Sequence, residues 1–151
     1  MLELHFEVEG EDLLYRRLEG ISEKLNNWRK TFVRTGSFLK KTFRDNFLFT
    51  GDLLEKRWAP LKPQTIMAKM RRGQTDDPLI GTGKMMESFA SDPQKMYVRV
   101  YNPVEYFKYH QSNKARRVLP RRVMISLTKR MREQIVKFFQ EQVQEALKFR
   151  E

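Results

Sequence analysis

The residues that could carry catalysis or bind a metal are few and far apart in this sequence. The two histidines are His5 and His110, and no His-x-x-x-His pair is present. The sequence contains no cysteine, so it has neither a disulfide nor a thiolate metal site. We therefore expect His5 on the polar face of a strand and His110 buried beside an aromatic cluster. Neither a metal nor a cofactor is predicted.

The run GTGK at residues 81–84 has some features of a phosphate-binding loop. It lacks the four-residue spacer that precedes Gly-Lys in such loops, and Met85 stands where a metal-binding hydroxyl is needed. Ser88 and Ser126 have no recognisable base partner in the sequence. We therefore expect a tight turn that leads into a helix, and we do not expect an enzyme.

The charge of the chain is strongly positive and unevenly distributed. Net charge is +11, from 30 basic and 19 acidic residues. Between Glu105 and Glu133 every charged residue is basic, and residues 111–122 are predicted to form a basic loop. Such a stretch attracts a polyanion or an acidic protein face, although a solvated surface is the plainer interpretation. The candidate partner- or DNA-facing residues are Lys114, Arg116, Arg117, Arg121 and Arg122.

Hydrophobic periodicity predicts the first elements that must position these residues. Residues 2–8 alternate apolar and polar side chains, which is typical of a half-buried strand. Asp12 is then predicted to cap a helix whose apolar stripe continues to Phe47. Gly36 lowers helix propensity by about 1 kcal/mol relative to alanine, so a kink or break is expected at 34–37. The helical region is predicted to end at residues 50–52.

Residues 51–80 form a proline- and glycine-rich stretch that is predicted to be an extended arm. Pro63 can occupy the first turn of a short helix over 64–71. A second short helix is expected at 82–89.

The remainder of the chain is predicted to supply a small sheet and a final helix. Alternation predicts a strand at 96–101, a second strand is expected at 121–125, and Ser126 is expected to cap the last helix. The expected fold is α+β, a single domain over 1–151 in which a small antiparallel sheet packs against two long helices.

Four stretches of the sequence are similar to short motifs of a known protein family. WAPLKPQTI at 58–66 is similar to the pattern W-x-P-L-x-P-x-T-I, and PLIGTGKMMESF at 78–89 to P-L-I-x-T-G-x-L-x-x-S-I. YFKYHQ at 106–111 resembles Y-A-x-x-H-Q, and LPRR at 119–122 resembles I-P-A-R. In this order and spacing the four stretches resemble the phage virion morphogenesis family, the Mu-like tail-completion proteins. The sequence departs from the family where Ser112 follows His-Gln instead of glycine and where Met85 replaces leucine.

The resemblance implies a structural protein that completes the tail or joins head and tail at the neck, with no enzymatic activity. The implied partners are other tail and neck proteins (terminator, tube, sheath or connector) and further copies in a ring. Such a protein is made in the bacterial host cytoplasm and resides in the virion, and the Mu-like pattern favours a contractile tail. Candidate interface residues are Trp58, Pro60, Leu61, Pro63, Thr65 and Ile66. Leu79, Thr82, Gly83, His110, Gln111 and Pro120 are expected to fix local architecture.

Two questions stay open at the level of sequence. Trp58 and Leu61 either reach a neighbouring subunit or fold back onto the core of their own chain. The basic stretch faces either an acidic protein or the DNA in the channel, and a basic nucleic-acid-binding protein is the alternative function. Stacking on Tyr106, Phe107 and Tyr109 would support that alternative. No run of 18 apolar residues is present, so no membrane partner is expected.

Overall fold

A computed structural model describes residues 11–112 and 119–148, with the side chains of these residues except at 11–15 and 17. His5, the strand predicted at 2–8, and Lys114, Arg116 and Arg117 lie outside the described residues. The elements are α1 Glu11–Leu25, α2 Arg29–Leu48, a 3-10 turn Asp52–Leu54, α3 Pro63–Arg71, α4 Lys84–Glu87, β1 Ala90–Pro93, β2 Val98–Tyr101, α5 Phe107–Gln111 and α6 Lys129–Leu147. The fold is α+β, as predicted.

A two-stranded antiparallel sheet packs against α2. Its register runs from Ala90 opposite Tyr101 to Pro93 opposite Val98. The alternation predicted for β2 is confirmed, since Val98 and Val100 are half-buried while the residues between and after them are exposed. Strand β1 was not predicted, because its sequence ASDP has no alternating apolar pattern. Pairing with β2 and packing on α2 hold it in place.

Helix α2 is continuous through Gly36, so the break predicted at 34–37 is wrong. A Cβ atom at Gly36 would lie 3.0 Å from both Ser91 Cβ and Val98 Cγ2. Glycine at this position lets the sheet approach the helix backbone closely. The apolar contacts of the neighbouring residues on α2 outweigh the intrinsic helical cost of one glycine.

The helical region is interrupted between α1 and α2, and hydrogen bonds of polar side chains stabilise this connection. Asn27 Oδ1 accepts a hydrogen bond from the backbone N–H of Arg29 at 3.0 Å, at the start of α2. From α6, Gln142 Nε2 donates to the carbonyl oxygens of Lys24 and Asn27, each at 3.2 Å. The cap predicted at Asp12 is also wrong, because this residue lies inside α1.

Helix α6 begins two residues later than the sequence predicted. Its N-cap is Thr128, whose Oγ1 accepts from the backbone N–H of Met131 at 3.2 Å. The prediction of Ser126 as the cap is therefore wrong. Helix α6 packs against α1 and α2, and none of the described helices is long and apolar enough to cross a membrane.

Two groups of buried residues form the core, and Phe89 and Ile125 pack against both. One lies between α2 and α6 and the other beneath the segments that follow α2. Phe47 is fully buried in the second group and meets the Trp58 ring edge-on at 5.2 Å between centroids. The members of the first group are Leu39, Phe43, Leu54 and Met131, and those of the second are Phe47, Trp58, Met85, Val104, Phe107 and Met124.

Candidate functional site

A groove of about 930 Å³ is bordered by residues from all four stretches that carry the family resemblance. We call it the motif groove. The stretches lie far apart in sequence and meet only through the fold. Those predicted site residues that border it are Pro60, Leu61, Thr65, Leu79, Thr82, Gly83, His110, Pro120 and Arg122.

Trp58 anchors the start of the proline-rich segment to the protein's own core. Its side chain is 5% exposed, and its Nε1–H donates to the carbonyl oxygen of Val123 at 2.9 Å. The prediction that Trp58 lies at a subunit interface is therefore wrong, and the fold-back alternative is what the structure shows. A large indole with its N–H satisfied is stabilised by burial.

The rest of that segment remains accessible. Pro60, Pro63 and Thr65 are exposed, whereas Leu61 and Ile66 are half-buried. Their assignment to an interface stays a prediction. The short helix expected after Pro63 is present as α3, with the proline in its first turn, and none of its residues is buried.

Arg122 is buried and serves the interior of the protein. Its Nε and Nη2 donate to the carbonyl oxygen of Ala59 at 3.3 and 2.9 Å, and burial lowers the pKa of its guanidinium. The prediction that Arg122 faces a partner is wrong, because the side chain is buried and two of its nitrogens donate to the backbone of the proline-rich segment. Arg121 is exposed, and its Nε donates to the carbonyl oxygen of Gln111 at 3.4 Å.

Gln111 organises the segment that follows residue 119. Its Oε1 accepts from the backbone N–H groups of Met124 and Ile125 at 2.7 and 3.1 Å. Its Nε2 donates to the carbonyl oxygen of Ile125 at 2.7 Å. The strand predicted at 121–125 is therefore wrong, because a side-chain amide satisfies backbone groups that a neighbouring strand would otherwise bind. The architectural role predicted for Gln111 agrees with this geometry.

The turn between α3 and α4 forms one wall of the motif groove. Lys69 Nζ donates to the carbonyl oxygens of Asp77 and, at 2.7 Å, Ile80. Burial lowers the pKa of Lys69, and the carboxylates of Asp77 and Asp76 partly offset this effect. The lysine therefore ties α3 to the chain that leads into the turn.

The tight turn predicted at 81–84 is confirmed. Gly83 has φ of +79°, in the left-handed region that glycine adopts without strain, and precedes α4 directly. The Thr82 hydroxyl oxygen accepts from the backbone N–H of Lys84 at 3.4 Å. Sequence reasoning missed Asn102, whose Nδ2 donates to the carbonyl oxygen of Met85 at 2.7 Å. Its only signal was an Asn-Pro turn.

Among the residues that the structure describes, those that line the motif groove include basic side chains and no acidic one. Lys62, Arg72 and Lys84 are exposed, and Lys69 and Arg122 add their charges from half-buried and buried positions. Tyr106, 44% exposed, and several apolar side chains complete the lining. This combination suits recognition of a ligand that carries both anionic and apolar groups.

Across residues 11–112 and 119–148, no group of three or more histidine, aspartate or glutamate side chains is arranged to hold a metal ion. What the motif groove offers chemically is an accessible surface lined by basic and apolar side chains. Comparison of the chain with models of protein families, with curated proteins and with solved structures gives no match.

Proposed function

We propose that this protein is a structural component of a tailed-bacteriophage virion. It acts in tail completion and head–tail joining at the neck by binding copies of itself and other tail and neck proteins. The observation that carries the proposal is the convergence of four separate family-like stretches on one groove. Fortuitous similarities at 58–66, 78–89, 106–111 and 119–122 would be expected to lie on unrelated parts of the molecule.

The matched residues also divide into two physically sensible groups. Gln111 and Gly83 fix backbone geometry around the groove, as their hydrogen bonds and φ angle require. Pro60, Thr65 and Pro120 are exposed at the border of the groove, where a partner could contact them. A docking protein needs this arrangement, in which a rigid scaffold presents an accessible surface.

A ring at the neck places particular demands on its subunits. Each copy must present two different surfaces that fit one another head to tail, and neither surface needs catalytic groups. The expected neighbours are the terminator, tube, sheath or connector proteins of the virion, and the expected tail is contractile. Synthesis takes place in the host cytoplasm.

The test is a nonsense mutation in this gene within its phage or prophage, followed by electron microscopy of the lysate. Filled heads beside unjoined, abnormally long or unstable tails are expected, and normal numbers of infectious virions would overturn the proposal. Complementation with Lys84→Glu, in the groove, should fail where Lys95→Glu succeeds. Both lysines are exposed, but Lys95 lies in the β1–β2 turn outside the groove lining.

Nucleic-acid binding is the second candidate, because Tyr106 is exposed beside basic residues of the groove. This function predicts an affinity for DNA that falls by orders of magnitude between about 50 and 200 mM salt. It also predicts that Tyr106→Ala weakens binding through loss of stacking. Phe107 cannot contribute to such stacking in this fold, since it is buried.

A further inference from the structure

The described side chains that line the motif groove include no carboxylate to balance its basic groups. Lys62 and Arg72 stand at the two ends of α3 and Lys84 begins α4, and no aspartate or glutamate within residues 11–112 and 119–148 borders the groove. Burial lowers the pKa of Lys69 and the carboxylates of Asp77 and Asp76 partly offset this effect, but neither aspartate is part of the groove lining. The basic side chains at the border of the groove would therefore attract an occupant that carries negative charge.

A segment of this same sequence has the complementary character. Residues 1–12 contain five acidic side chains and neither lysine nor arginine, although the chain as a whole has a net charge of +11. No other stretch of comparable length combines these two properties. Within it, the apolar residues Leu2, Leu4, Phe6 and Val8 alternate with polar ones. The acidic residues are Glu3, Glu7, Glu9, Glu11 and Asp12.

We propose that the motif groove of one copy binds the acidic segment 2–9 of a second copy. Eight residues in extended form reach about 26–29 Å, so one segment can contact several walls of the groove. This contact would deepen the assembly function proposed above. Only its role in the virion rests on that function, because the contact itself can be tested with the purified protein. A groove and a segment on every copy generate the head-to-tail contact from which a closed ring is built.

The chemistry of the two surfaces defines the contacts. The apolar side chains of the segment meet Pro60, Leu61 and the other apolar parts of the lining. Its carboxylates pair with Lys62 and Lys84, which are exposed, so each pair contributes modestly and is screened by salt. Docking is therefore expected to weaken as ionic strength rises.

The absence of cysteine from the sequence allows a direct test by disulfide trapping between two purified full-length variants. One variant carries Phe6→Cys, and the other carries Thr65→Cys together with a tag of different mass. The matched control replaces Thr65→Cys with Ser37→Cys, because Ser37 is also exposed but lies on α2, outside the groove. Circular dichroism verifies that each variant is folded before oxidation.

The expected product is a mixed disulfide dimer that forms with Thr65→Cys, is scarce with Ser37→Cys and decreases at high salt. Lys62→Glu or Lys84→Glu should each lower its yield by about two- to fivefold, as expected for exposed ion pairs. Combining Lys84→Glu with Glu7→Lys in the donor should restore part of the loss.

Equal yields with both acceptors, or yields that do not respond to salt and charge reversal, would overturn the proposal. So would a disulfide that forms only within one chain when Phe6→Cys and Thr65→Cys are combined. Neither result bears on the phage experiment, since a chain that fails to cross-link can still be required for joining heads to tails. Conversely, trapping together with normal virions would reject the neck function and retain the self-docking.

Discussion

Replacing Gln111 with methionine is expected to destabilise the segment that follows residue 119. Gln111 makes three hydrogen bonds, two from the backbone N–H groups of Met124 and Ile125 and one to the carbonyl oxygen of Ile125. Methionine has a similar length and fills the same space, but it can satisfy none of these groups. The substitution therefore removes hydrogen bonding while it leaves packing almost unchanged.

The magnitude follows from the number of groups that lose a partner. A net contribution of about 1 kcal/mol for each hydrogen bond gives a loss of about 3 kcal/mol in the free energy of unfolding. Met124 is fully buried, so its N–H cannot regain a partner from water, whereas Ile125 is half-buried and recovers part of its loss. The expected range is about 2–4 kcal/mol.

Urea denaturation followed by far-ultraviolet circular dichroism measures this loss, and Gln94→Met is its matched control. Gln94 is exposed and makes one side-chain hydrogen bond, to Asp92 at 2.7 Å, so its replacement should cost less than about 0.5 kcal/mol. Amide hydrogen exchange should accelerate at Met124 and Ile125 in Gln111→Met alone. Equal effects of the two substitutions, or unchanged exchange at both amides, would refute the reasoning.

Three further predictions use the same urea measurement. Gly20→Ala should raise the free energy of unfolding by about 0.5–1 kcal/mol, since nothing lies within 4 Å of the new Cβ, whereas Gly36→Ala should lower it by about 1–3 kcal/mol through overpacking against the sheet. Thr128→Ala should cost about 1 kcal/mol by removing the α6 cap, and Ser126→Ala less than about 0.5 kcal/mol. Trp58→Phe should cost about 1–3 kcal/mol, because the Val123 carbonyl loses its donor. Equal effects within either matched pair, or a neutral Trp58→Phe, would contradict the corresponding contacts.

The long helices and several of their ends could be predicted because local chemistry decides them. Apolar spacing identified α2 and α6, Pro63 identified the start of α3, and residues 50–52 correctly marked the end of the helical region. The chain leaves the helical region at Gly51, whose φ of +92° favours glycine. Only glycine fits here, because a Cβ atom would lie 2.2 Å from the Lys56 carbonyl oxygen.

The errors share a different cause, which is that a contact distant in sequence changes what a residue does. Gly36 weakens an isolated helix, yet beneath a sheet it is what permits close packing. Residues 121–125 end in the apolar run Val-Met-Ile and were expected to form a strand, but Gln111 binds the backbone of Met124 and Ile125 in place of a neighbouring strand. Ser126 and Thr128 are both competent caps by residue type, and the structure uses the later one, whose partner Met131 is buried against α2.

The same reasoning explains why the two residues most typical of an interface, Trp58 and Arg122, both point inward. Each is bound by the backbone next to the other, since Trp58 donates to the carbonyl of Val123 and Arg122 donates to that of Ala59. This reciprocal pair joins the proline-rich segment to the segment after residue 119. Neither partner could be identified from residue type, because the pairing exists only once 58–59 and 122–123 are adjacent. The pair holds two borders of the motif groove together, so these residues fix the position of the surface that we propose for docking, on which the exposed prolines and lysines are presented.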